Sequence, residues 1–425
     1  MSPREANPLT GAISRRRLLQ GSALVGIGAF IAACRSGGAA VASPSAPAES
    51  TVPTEAPSTV GSAPPASTGK LGGKLNFANW TAYIDLTVDP GPDGQVGTDD
   101  DAYTLPSPTL DQFTQATGIE VNYKEAVNDN EEFYGTDLQG PLSQKQPTAW
   151  DLIVMTDFMA ARLIRQGWVE TIDTTGMQNF PANLEAPYLA RTFDPGAKMT
   201  APWQSGMTGI GYDSAVTGEL DSLDVFWDTK YKGKLDYLSE MRDAVGLSAI
   251  RLGFDPSTIT DDQYTQALGE IQKAIKSKLV RTIKGNDYLT DLASGDVVVS
   301  MAWSGDIIQV SKDKATLKWA LPKEGGMLWT DNMMIPKGAP GKKQAEAFID
   351  FYYDPDIAAQ VEDFVNYVCP VKGAKEALVA INPDNANNPL MFPPDDMLAR
   401  VKVFKGLDEA TEKKYLDAWN TVIGL

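Results

Sequence analysis

The sequence predicts an α/β protein of two lobes, each a mixed sheet flanked by helices, and three observations carry that prediction. From Lys74 onward, short apolar runs alternate with segments of helical periodicity, as strand, crossover helix and strand units do. The stretch from Gly73 to Leu425 is longer than one hydrophobic core usually serves, so two lobes are expected. Loops that pair an aromatic ring with a carboxylate follow the predicted strands, where ligand sites of α/β sheets open.

Residues 1–33 read as an export signal rather than a membrane span. Arg15 and Arg16 stand in Ser14-Arg15-Arg16-Arg17-Leu18-Leu19, and an apolar run from Leu18 to Ala33, softened by Gly21, Gly26 and Gly28, ends in small residues. The paired arginines resemble a twin-arginine signal. Ile31-Ala32-Ala33-Cys34 resembles a bacterial lipobox, which would make Cys34 an acylated first residue. Residues 34–72 hold too few large apolar side chains to offset the entropy of ordering. They are expected to form an extended, lipid-anchored linker that holds the exported lobes at the outer face of the cytoplasmic membrane.

The chain has 37 Lys and Arg against 55 Asp and Glu; removing residues 1–33 takes away four basic residues and one acidic one, leaving 33 against 54 and a net charge of −21. Such a surface suits cationic ligands and repels nucleic acid phosphates, although solubility alone accounts for acidity equally well. Histidine is absent, which removes Ser-His-Asp and Cys-His nucleophile pairs, His zinc sites and imidazole proton shuttles. With Cys34 acylated, Cys369 has no partner and no disulfide is available. Hydrolysis is disfavoured, and a paired-carboxylate glycosidase is the enzyme class that survives as a rival. The expectation is no enzyme activity, no cofactor and no nucleic acid partner.

Within the lobes, Leu75 to Trp80 reads as the first strand, Leu110 to Thr117 as a helix closed by Gly118, and Ile119 to Tyr123 as the next strand. Glu131 to Leu142 and Phe158 to Gln166 have helical spacing and flank a buried strand at Leu152 to Met155. Val297 to Trp303 repeats the buried-strand pattern and Gln344 to Tyr353 the helix. Between Asp85 and Leu110 an acidic, Pro/Gly-rich stretch places Asp89, Asp93 and Asp100 at positions 1, 5 and 12 of an EF-hand-like spacing, with Gly94 at position 6. Gly91 at position 3 and two prolines favour a solvated loop over a calcium site.

The candidate chemistry lies in the strand-end loops. Asn79-Trp80-Thr81-Ala82-Tyr83, Thr156-Asp157-Phe158, Trp303-Ser304-Gly305-Asp306 and Trp329-Thr330-Asp331 each offer a flat ring, a carboxylate or both. Glu240 and Asp243 stand three apart at a predicted helix start and could share one face; first-turn acids favoured by the helix dipole are the plainer account. Trp150, Trp168 and Trp227 read as packing residues.

Along these segments the chain resembles the polyamine-binding proteins of bacterial ABC importers, the spermidine/putrescine family. The resemblance runs through Leu75-Asn76-Phe77-Ala78-Asn79-Trp80-Thr81-Ala82-Tyr83, Leu110-Asp111-Gln112-Phe113-Thr114-Gln115-Ala116-Thr117-Gly118-Ile119, Trp150-Asp151-Leu152-Ile153-Val154 and Gly209-Ile210-Gly211-Tyr212. Its most specific piece is Trp319-Ala320-Leu321-Pro322-Lys323-Glu324-Gly325-Gly326-Met327-Leu328-Trp329-Thr330-Asp331. Residues 73–375 are covered well and the C-terminal part loosely. The resemblance implies a periplasmic-binding-protein-like fold with the ligand in the inter-lobe cleft. Residues 73–203 and 332–370 would form lobe 1, and 204–331 and 371–425 lobe 2. The chain would cross near Pro202 to Gly206, Asp331 to Ile335 and Tyr367 to Lys372.

Carried over residue by residue, it implies that Trp80, Tyr83, Trp303 and Trp329 form aromatic walls, and that Glu240, Asp243 and Asp331 neutralise amines. Thr81 and Thr156 would add hydroxyl contacts, Phe158 would stand where the family often has a tyrosine, and Tyr367 would close the site. The expected function is capture of spermidine or putrescine and delivery to the transmembrane subunits of an ABC permease, by a monomer anchored through Cys34. A sugar-binding importer component is the alternative, since sugars also use Trp stacking and carboxylate hydrogen bonds. Ala82 replaces an acid common in the family, and Glu240 and Asp243 exchange the lengths of the family's Asp and Glu. The number of amines bound stays open, with Asp157 able to compensate from its loop.

Overall fold

The computed structural model describes residues 13–14, 70–89, 102–104 and 107–424. Apart from Ile13–Ser14, the export signal lies outside the described residues, as do Cys34, the linker up to residue 69, Asp93, Asp100 and the side chain of Asp89.

Ten strands join in one sheet. They are β1 (Gly73–Trp80), β2 (Ile119–Val127), β3 (Leu152–Thr156), β4 (Ala201–Asp213), β5 (Leu235–Leu238), β6 (Val280–Lys284), β7 (Val299–Trp303), β8 (Leu317–Ala320), β9 (Gly326–Met334) and β10 (Val401–Lys402). The order is β2-β1-β3-β9-β4-β7-β5-β6, with β8 beside β4 and β10 beside β9. β1 is parallel to β2 and β3, and β5 is parallel to β6 and β7. Two antiparallel strands, β4 and β9, connect these parallel sets. The start of β4 faces Asn332 and Met333 of β9, whose other edge pairs with β3, whereas the end of β4 pairs with β7 and β8. All thirteen residues of β4 are buried, as expected of a strand covered on both faces. The result is the expected two-lobed α/β architecture, with β4 and β9 running from one half to the other beneath the cleft.

Eight of the helices bear on the cleft or on the core that supports it: α1 (Pro108–Thr117), α2 (Asp157–Arg165), α3 (Met241–Arg251), α4 (Asp261–Lys276), α5 (Ser304–Ser311), α6 (Lys342–Tyr352), α7 (Pro355–Val365) and α8 (Glu409–Ile423). α1 shows why its ends were legible. The Ser107 hydroxyl accepts from the Leu110 N–H at 3.0 Å, and Gly118, at a φ of 75°, donates its N–H to Thr114. α2, α3 and α5 begin at or just after the ends of β3, β5 and β7, so their N-termini face the cleft.

The helix expected over Glu131 to Leu142 is a composite. Short α-helical stretches at Asn130–Phe133 and Gln139–Ser143 flank a π-helical turn at Tyr134–Leu138. Pro141, which has no N–H to donate, and Gly135 and Gly140 weaken a regular helix there. β2 runs on to Val127, past the expected end at Tyr123.

Ring packing of Phe77 on Phe348, with centroids 5.1 Å apart, and of Phe113 on Phe348 at 5.2 Å ties β1, α1 and α6 into the core of the first half. At the other end, Tyr415 of α8 stacks on Tyr264 of α4 with centroids 3.6 Å apart, and its hydroxyl donates to Asp261. That docking turns Glu412 of α8 toward the cleft. Cys369 is buried and unbridged. Among the described residues no helix is long and apolar enough to cross a membrane.

Candidate functional site

Between the two halves lies a cavity of about 810 Å³, a size that suits a small-molecule ligand. Trp80 ends β1, Thr156 ends β3 and Trp303 ends β7, so the parallel strands deliver these side chains to the crevice beyond their C-termini. Glu240 precedes α3 and Asp243 sits in its first turn, where the helix dipole favours negative charge. Trp329 and Asp331, two apart in β9, share a face of that strand. All eleven residues expected at the site line the cavity: Trp80, Thr81, Tyr83, Thr156, Phe158, Glu240, Asp243, Trp303, Trp329, Asp331 and Tyr367.

The rings form a chain. Trp80 and Trp303 have centroids 6.4 Å apart, Trp303 and Trp329 6.1 Å, Trp329 and Tyr367 5.5 Å, and Tyr367 and Tyr83 5.2 Å. Two glycines permit this arrangement. A Cβ on Gly206 would lie 2.4 Å from Cζ2 of Trp329, and one on Gly305 would lie 2.4 Å from Cδ2 of Tyr367. The rings can press on the backbone only where it has no side chain. Nε1 of Trp80 is buried without a hydrogen-bond partner among the described residues.

Three carboxylates face these rings, each held by neutral donors. Asp331 accepts from the Tyr83 hydroxyl at 2.9 Å and from Thr156 Oγ1 at 2.7 Å. Asp243 accepts from Thr208 Oγ1 at 2.8 Å and from Trp303 Nε1 at 2.9 Å, and Thr208 in turn accepts from Trp329 Nε1 at 3.0 Å. Asp306 accepts from the Tyr367 hydroxyl at 2.7 Å and from the Tyr288 hydroxyl at 3.1 Å. A fourth, Glu240, accepts from the Asn130 side chain at 2.9 Å and from its backbone N–H at 3.2 Å. None of the four forms an ion pair among the described residues.

Burial pushes Asp331 up to about 7 and Asp243 and Asp306 up to about 6, outweighing hydrogen bonds that favour their charged forms. Burial also drives Glu240 well up, with the charge of Asp129 as the second cause. Desolvated acids without a matching cation make a site that favours entry of positive charge.

Asp157 does not join this group. Its carboxylate accepts from Arg191 at 2.7 Å and from Asn332 at 2.9 Å, so the compensation considered from sequence is replaced by an internal ion pair. The ring of Phe158 is covered by a protein cation, with Cζ of Arg242 3.8 Å from its centroid. Trp150, Trp168 and Trp227 lie in packing positions: Trp150 donates to Asp137, Trp168 stacks on Tyr134, and Trp227 donates to the Glu270 carbonyl. Sequence reasoning quoted Asp306 in the loop after Trp303 without giving it a role, and did not single out Asn130, Thr208, Tyr288 or Arg242. Asp306 had a usable signal, because it follows the strand-end Trp303 in the first turn of a helix. Arg242 lies between Glu240 and Asp243 in sequence, whereas Asn130, Thr208 and Tyr288 become neighbours of the site through contacts distant in sequence.

A two-lobed α/β sheet with an aromatic, acidic cavity between its halves is the architecture of a solute-binding protein. The family model of bacterial extracellular solute-binding proteins matches residues 148–400, and the chain belongs to that family. The spermidine/putrescine-binding periplasmic protein of Escherichia coli (strain K12) is 27% identical over 321 residues, covering 75% of this chain and 83% of that protein. The putrescine-binding periplasmic protein PotF of the same strain is 27% identical over 368 residues, covering 82% and 90%. Among solved structures, the spermidine/putrescine ABC transporter substrate-binding protein PotD from Streptococcus pneumoniae matches with a TM-score of 0.64 at 24% identity, covering 83% of this chain and 98% of that one. That likeness establishes a shared fold.

Proposed function

We propose that the protein captures a polyamine between its lobes and delivers it to an ABC permease, with no bond made or broken. One observation carries this reading: Asp243, Asp306 and Asp331 are buried, held by neutral donors and without an ion pair among the described residues, and they lie among the rings of Trp303, Trp329, Tyr83 and Tyr367. A polyamine alternates ammonium groups with methylene chains, so it needs carboxylates for the first and flat rings for the second. Each charge-assisted hydrogen bond contributes about 1.5 to 3 kcal/mol and each cation–π contact about 0.5 to 2 kcal/mol. The carboxylates therefore dominate affinity, and Trp80, Trp303 and Trp329 orient the chain. Thr156 and Tyr83 hold Asp331 in place, and Tyr367 does the same for Asp306. The functions for which the relatives are named agree with this reading.

In the same reading lobe 1 comprises residues 73–203 and 332–370, and lobe 2 residues 204–331 and 371–425. The pairing of Ser205 with Val368 and of Gln204 with Asp331 supports a hinge at these three proposed crossings. Ligand contact with both lobes stabilises closure by its differential affinity for the closed form. A lipid on Cys34 would hold a monomeric capture unit close to its permease.

Calorimetry with putrescine, spermidine and maltose tests the reading. Wild type is expected to bind at least one amine, and Asp331→Ala to lose about tenfold to a hundredfold in affinity for it. Binding of maltose with neither amine bound would overturn the proposal in favour of a sugar carrier.

A further inference from the structure

Building on the polyamine reading, we propose that Glu125 is a positioning residue for the ligand: by accepting the Ala82 N–H it fixes the strained turn that carries Trp80, Thr81 and Tyr83 to the cavity. Thr81 and Ala82 form that turn directly after β1, and Trp80, Thr81 and Tyr83 all line the cavity. Ala82 has a φ of 53°, in the left-handed region that glycine adopts freely and a residue with a Cβ does not. The turn can relieve this strain by rotating the peptide plane between Thr81 and Ala82, because that rotation changes ψ of Thr81 and φ of Ala82 together. It would also reverse the Thr81 carbonyl and the Ala82 N–H, and so disturb the backbone from which Thr81 faces the cavity.

Glu125 opposes that rotation, since its Oε1 accepts from the Ala82 N–H at 2.8 Å. The two ends of the turn are secured separately. The Asn79 side chain accepts from the Trp80 N–H at 2.9 Å and donates to the Tyr83 carbonyl at 3.3 Å, and Nε1 of Trp203 donates to the same carbonyl at 3.1 Å. The Tyr83 hydroxyl is engaged by Asp331. The central peptide is left to Glu125. An irregularity in β2 brings that side chain alongside: Asn79 pairs with Glu125 but Trp80 pairs with Val127, so Ala126 is an extra residue at the end of the ladder. Glu125 is exposed and stands outside the cavity wall, so it acts on the ligand through the turn and does not touch it. Holding the turn in its binding conformation before the amine arrives removes an ordering cost from binding.

The test is calorimetry with putrescine and spermidine, at low and high salt, on wild type, Glu125→Ala, Glu125→Gln, Ala82→Gly and the double variant Ala82→Gly with Glu125→Ala. Glu125→Ala is expected to bind the preferred amine about fivefold to tenfold more weakly than wild type at both salt concentrations. Glu125→Gln, whose amide oxygen can accept the same N–H, should stay within about twofold of wild type. In the double variant glycine removes the strain, so its affinity should return to within about twofold of Ala82→Gly alone. Unchanged affinity in Glu125→Ala, no recovery in the double variant, or a loss in Glu125→Gln as large as in Glu125→Ala that fades at high salt would overturn the assignment, the last because it would mark a remote charge effect. Should Glu125→Ala not fold, Glu125→Leu, which keeps the bulk and lacks the acceptor, takes its place in each comparison. Wild type that binds neither amine would instead overturn the polyamine reading itself.

Discussion

Asp331 accepts hydrogen bonds from Tyr83 and Thr156, yet burial still moves it from its usual 3.8 up to about 7. The folded state then binds a proton that the unfolded chain has released between those values. Stability of the ligand-free protein must therefore fall as pH rises from about 4 to about 7 on account of this group. Asp331→Asn removes the titration. Melting curves across that range should show a shallower decline for the variant than for wild type, and parallel curves would mean that the carboxyl titrates normally. Ligand acts in the opposite sense, since an ammonium pairs with the charged carboxylate. Legibility at this scale was uneven. Trp80, Trp303, Trp329 and Asp331 stand next to strand ends in sequence, so their placement followed from local pattern. Phe158 did too, but that its face is taken by Arg242 depends on a residue 84 positions away.

Among the elements, α8 reaches furthest from its place in the sequence. Its Glu412 accepts from Arg162 and Arg165 of α2 and from Arg242 of α3, so one buried carboxylate ties together helices from both halves of the sheet. Burial pushes its pKa up, but the three arginines outweigh that and hold it below the usual glutamate range. Removing one partner from a buried charge network costs about 3 to 5 kcal/mol. Glu412→Gln is therefore expected to lower the melting temperature by several degrees and to speed ligand release in stopped-flow measurements, with little change in the association rate. Equal release rates in the two proteins would show that the contact supports folding without holding the cleft shut. Elements defined by local signals, such as α1 between Ser107 and Gly118, were readable from sequence. β10 was not, because its two residues form a strand only by pairing with Gly326 and Met327.

For the whole molecule, the acidic balance, the missing histidines and the signal-like N-terminus point to an exported binder of cations. If Cys34 carries the lipid, Cys34→Ser expressed in a bacterial host should move the protein from the membrane fraction to the soluble fraction without changing amine affinity. Retention in the membrane would exclude this anchor. The α/β class and the ring-and-acid loops were legible because periodicity and neighbouring residues are local properties of a chain. Solvent exclusion and charge matching are not local. Asp331 meets Thr156 and Tyr83 across 175 and 248 residues, and Glu412 meets Arg162 across 250. Folding alone separates cavity acids that an arginine neutralises, such as Asp157 and Glu412, from Asp243, Asp306 and Asp331, which form no ion pair among the described residues. The physical reason is that desolvation and pairing are fixed by which distant segments the sheet brings together.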